Sequence, residues 1–134
     1  MTRRHKEPRL RLTRALAATR QIEAAIAALD IGAYDVAITL AGAAEGMFTR
    51  KGRYLFRFLR EHDKLAAFER RIVIDHLNRE LVWLKHDKRP NVLNIRRSVA
   101  VSIITRAASK LKNWTPGIER FRDWLIENVD NIYK

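Results

Sequence analysis

An all-α fold, a bundle of five or six helices, is what this sequence predicts, and three observations predict it. Apolar residues recur at steps of three and four along most of the chain, the period of a helix with one buried face. They make up 47 % of 134 residues, enough for one domain with a real core and too many for a disordered chain. The one run that could pass for a strand, Val99 to Ile104, lies inside a longer helical period and has no partner strand elsewhere. Residues 10–134 are therefore expected to form a single helical domain. Residues 1–9, with Arg3, Arg4, Lys6, Pro8 and Arg9, read as a flexible basic arm.

Each element has its own signal. Leu12, Leu16, Thr19, Ile22, Ile26 and Leu29 mark the inner side of a first helix filled out by alanines. Gly32 should end it, because glycine accepts the left-handed conformation of a helix stop. Asp35 is expected to cap a second helix running to about Thr49, with Val36, Leu40, Ala43, Ala44, Met47 and Phe48 inward. Gly42 weakens that helix, so a close approach by another helix is the expected compensation. A third segment, Arg53 to His62, places Leu55, Phe58 and Leu59 inside. A fourth, capped by Asp63, carries Phe68, Ile72, Leu77, Leu81 and Leu84 and ends near His86. Pro90 disfavours helix at Arg89, so residues 87–94 read as a loop. A helix resumes at about Ile95 with Val99, Ile103, Ile104, Ala107, Leu111 and Trp114 inward. Thr115 as cap and Pro116 at the first position open a last helix carrying Ile118, Phe121, Leu125 and Val129.

Composition narrows the function. With no cysteine, a disulfide scaffold, thiol catalysis and thiolate metal sites are excluded, and a reducing cytoplasm is the expected location. No apolar run approaches the ~18 residues of a membrane span, so no membrane partner is expected. Twenty-seven basic against 15 acidic residues leave a net charge of +12, a field that attracts polyanions. Nucleic acid is the first expected partner class, and an acidic protein the second. The densest basic run past the arm is Arg50, Lys51, Arg53, Arg57 and Arg60, with no acid among residues 50–60. Tyr54, Phe56 and Phe58 interleave with it and could stack bases, although aromatics at such spacing are more often core.

Familiar catalytic signatures are missing: there is no glycine-rich phosphate loop, no His-Glu-x-x-His and no Gly-x-Ser-x-Gly. His62, His76 and His86 each neighbour an aspartate, but adjacent helical residues point about 100° apart, so no metal site and no cofactor are expected. The candidate catalytic pair is Arg79 and His86. Seven residues apart on a helix, they share a face at about 10.5 Å along the axis. Lys85, Lys88 and Arg89 crowd the histidine. A neutral imidazole can take a proton from a ribose hydroxyl, and a guanidinium can hold a phosphate through two parallel hydrogen bonds. The plainer reading is a helix end, with Lys85 and His86 favoured by the dipole and Arg79 paired to Asp75.

This layout, with an Arg-x6-His segment closing an inner helix, resembles the HEPN superfamily of small helical domains. A closer likeness is to a group of small uncharacterised bacterial cytoplasmic proteins. It is carried by Ile38-Thr39-Leu40-Ala41-Gly42-Ala43-Ala44-Glu45, by Trp83-Leu84-Lys85-His86-Asp87 and by Phe121-Arg122-Asp123-Trp124. The resemblance implies a HEPN-like bundle, a homodimer, and a metal-independent ribonuclease in which Arg79 anchors phosphate and His86 is the acid and base. Arg50, Lys51, Arg53, Arg57, Lys85, Lys88 and Arg89 would form the electrostatic track for RNA. Active members commonly have a small polar residue after the arginine, where this chain has Glu80. A carboxylate there would repel phosphate, so a non-catalytic binding or regulatory interaction module, contacting nucleic acid or an acidic protein, is the alternative expectation.

Overall fold

The computed structural model describes residues 6–48, 78–86 and 89–132. Among them every regular element is an α-helix and there is no strand, so the fold is an all-α bundle. The helices are α1 (Arg14–Asp30), α2 (Tyr34–Gly46), α3 (Asn78–Lys85), α4 (Arg97–Ser109) and α5 (Pro116–Ile132). The expected third segment, and the first part of the fourth with Asp63, Phe68, Ile72 and Leu77, lie outside the described residues.

Thr13 begins α1 by accepting a 3.1 Å hydrogen bond from the Leu16 N–H on its side-chain oxygen. Leu12 and Leu16, expected inside, are exposed; the buried face is Ala18, Ile22, Ala25, Ala28 and Leu29. Gly32 stops the helix as predicted, with φ +78°. Its N–H reaches the Leu29 carbonyl and that of Ala33 reaches Ala28, the paired bonds of a Schellman stop.

Two expectations for α2 are corrected. Ala33 occupies the cap position without a side-chain bond, and Asp35 sits inside the first turn, where its charge still suits the helix dipole. The helix ends at Gly46 rather than near Thr49. Its buried face is Ala37, Ile38, Ala41, Gly42 and Ala44, while Val36 and Ala43 face solvent. Small residues go inward because α2 lies between α1 and α4, and helix axes close up only where side chains at the contact are short.

The bundle is built around α4. Residues 99–105 and 107–109 are all buried, so the helix is enclosed on every side, as one that is apolar all round must be. Its β-branched centre is helical, in line with the period. It starts at Arg97 rather than Ile95, and Trp114 lies beyond its end, where the indole Nε1 donates to the Ala108 carbonyl at 2.9 Å. α5 follows the prediction closely: Thr115 Oγ1 accepts from the Ile118 N–H, Pro116 takes the first position, and Ile118, Phe121, Leu125 and Val129 are buried. Each large apolar side chain so enclosed contributes about 1.5–3 kcal/mol.

The short α3 packs on α2, and its position depends on Gly42. A Cβ built on that glycine would stand 2.5 Å from Leu81 Cδ1, far inside van der Waals contact. The Leu81 side chain of α3 thus occupies the space a Cβ would take at Gly42, and α3 carries the candidate catalytic residues.

Candidate functional site

α3 presents consecutive residues to different environments. Arg79 is exposed, whereas Glu80 turns inward and is 2 % exposed. The roughly 100° step between neighbours on a helix separates them. Glu80 is tied to Arg96, the residue just before α4: Arg96 Nε and Nη2 both donate to Glu80 Oε1, at 3.1 and 3.0 Å. Glu80, expected as an acid beside the phosphate site, is buried and paired with Arg96. Its other oxygen, Oε2, is closed to solvent and has no hydrogen-bond donor among the described residues. A buried acceptor left in that state costs about 1–3 kcal/mol.

Arg79, Glu80 and Arg96 share a cleft of about 420 Å³ whose other described walls are Pro90, Val92, Leu93 and Asn94. His86 is exposed at the end of α3 and is not among the residues lining that cleft. Its N–H still bonds the Val82 carbonyl at 2.9 Å, so helical geometry continues through it. The seven-residue spacing thus holds, about 10.5 Å along the axis, with both side chains within roughly 20° of one face. Lys85 and Arg89 are exposed nearby. Arg50, Lys51, Arg53, Arg57 and Lys88, and Asp75 as the expected partner of Arg79, lie outside the described residues.

The loop between α3 and α4 is held against the helix. Trp83 Nε1 donates to the Pro90 carbonyl at 2.6 Å, and the Glu80–Arg96 pair closes its far end. Arg97, exposed, reaches the Asn131 carbonyl at 3.4 Å. Among described residues 78–97 there are five lysines and arginines, all exposed, and one acid, buried. Sequence reasoning passed over Arg96 and Asn94. A signal for Arg96 existed: two adjacent arginines stand at the start of α4, the positive end of the dipole, and its first turn has no acid. Among the described residues, no three histidine or acidic side chains gather as a metal site would need.

Comparison with protein families, with curated proteins and with solved structures finds no match to this chain. The site must be read from its own chemistry. A second cleft of about 410 Å³ lies between α1 and α5, where Ile26, Phe121 and Trp124 form an apolar floor. Its rim mixes Glu23 and Asp30 with Arg120, so it carries no single sign of charge. In the Arg79 cleft the exposed charges are the cations Arg79 and Arg96, and the acid, Glu80, is buried. Among the described residues no helix is long and apolar enough to cross a membrane.

Proposed function

We propose that this chain is a HEPN-like, nucleic-acid-associated protein that holds phosphates on the cationic surface made by α3, the loop after it and the start of α4. One observation carries the reading: Arg79, Lys85, Arg89, Arg96 and Arg97 are all exposed there, while the nearby carboxylate of Glu80 is buried and matched from within. Among the described residues no surface acid lies between these cations, and a phosphate backbone is held by exposed cations of this kind. Arg50, Lys51, Arg53, Arg57 and Lys88 would extend the same track, RNA is the proposed strand, and a homodimer would double the surface. An acidic protein is the alternative partner. Titration of single-stranded RNA at rising salt tests this. Four phosphate contacts predict a slope of roughly −3 in log K against log salt, a loss on the order of fifty-fold between 50 and 200 mM. Affinity that does not change with salt rejects the phosphate reading.

A second reading has its own support. Arg79 and His86 are both exposed on one side of a continuous helical run. They can flank a scissile phosphate, or meet their counterparts in a second subunit, as a metal-independent ribonuclease. His86 would take the proton of the attacking 2′-hydroxyl and return one to the leaving 5′-oxygen. Incubation of RNA with chelator present, beside His86→Ala, checks this. Cleavage lost in the variant supports catalysis; equal cleavage, or none, refutes it and leaves binding alone.

A further inference from the structure

We propose that the Arg79 cleft is a ribose–phosphate subsite that tells RNA from DNA, with Glu80 Oε2 accepting a 2′-hydroxyl while Arg79 holds the adjoining phosphate. This rests on the nucleic-acid reading above and names the contact that would select RNA. Both donors of Arg96 go to Oε1, so Oε2 is a buried carboxylate oxygen with no donor among the described residues, on a residue that lines the cleft. That oxygen seeks an O–H or N–H. The exposed guanidinium of Arg79, next along the helix, seeks an anion. A ligand satisfying both carries a donor and a negative charge within one residue's reach of each other. A ribonucleotide does, through its 2′-hydroxyl and neighbouring phosphate, and DNA lacks that donor. The described walls of the cleft hold no aromatic ring on which a base could stack, which favours the sugar edge over the base. Oε2 is closed to solvent without a ligand, so the proposal requires the half-exposed Arg96 to turn toward the phosphate as the hydroxyl enters.

The test is equilibrium binding of the full chain to three single strands of one sequence: RNA, its 2′-O-methyl form, and DNA carrying deoxyuridine. RNA should bind about tenfold tighter than the other two, the worth of one hydrogen bond to a charged group. Glu80→Met, of similar length and without an oxygen, should bring the ratio near one while leaving salt dependence steep. Equal binding of all three strands by the unaltered chain, with steep salt dependence, overturns the proposal and leaves the phosphate reading standing. No binding of any strand overturns both. A preference for RNA that survives in Glu80→Met, with its helical circular dichroism intact, removes Glu80 from the role.

Discussion

Gly42→Ala should destabilise this protein even though alanine is the better helix former. A helix-interior glycine costs about 1 kcal/mol relative to alanine, so on propensity alone the substitution would stabilise α2. The new methyl, however, would lie 2.5 Å from Leu81 Cδ1 and 3.3 Å from Cδ2. Overpacking of that kind costs about 1–3 kcal/mol. The balance is a net loss of up to about 2 kcal/mol, smallest where Leu81 turns aside and largest where α3 itself is pushed away from α2. Leu81→Ala removes the obstruction. In that background Gly42→Ala should stabilise by about 1 kcal/mol, so the sign of its effect reverses. Urea unfolding followed by circular dichroism, run as a double-mutant cycle, measures this, and contacting residues should show coupling of about 1–3 kcal/mol. Stabilisation by the same amount in both backgrounds would refute the claim that Leu81 occupies the space a Cβ would take at this glycine.

Gly32→Ala forces a side chain into a left-handed position at φ +78° and should cost about 1–2 kcal/mol, lowering Tm by roughly 3–8 °C; an unchanged melt would mean the α1 stop tolerates another conformation. Arg79→Ala should reduce the salt slope for single-stranded RNA by about 0.7, one phosphate's share, whereas Lys112→Ala, past the opposite end of α4, should leave it unchanged. Equal effects from the two variants would show that only net charge matters.

The elements readable from the sequence were those whose signals are local. Thr115 and Pro116 start α5, Gly32 stops α1, and four apolar positions of α5 all reach the core. Gly42 was readable as a close approach because a glycine inside a helix asks for a reason. On α2 the expected inner residue Ala44 is buried and Leu40, Met47 and Phe48 pack against the core, whereas Val36 and Ala43 face solvent. Between α1 and α4 the space admits alanine and glycine with Ile38, and Val36 is left outside. Size, rather than hydropathy, decided which face turned in. At the site, the exposure of Arg79 and His86 could be anticipated from their charge and spacing. The Glu80–Arg96 pair could not, since its members are 16 residues apart and meet only when α4 is in place. The two arginines opening α4 broke a local electrostatic preference, and such violations are where tertiary or functional partners should be sought.

The indole-to-carbonyl bond of Trp83 and the ion pair that follows it fasten the stretch before α4 at two points. On the proposed reading, the Pro90 end of that stretch is already held by the indole before a strand docks, so less chain freedom is surrendered there and more of each contact's energy survives as affinity. Cutting the indole fastening with Trp83→Phe should therefore weaken RNA binding without removing a proposed phosphate ligand, by restoring motion the native chain has already given up.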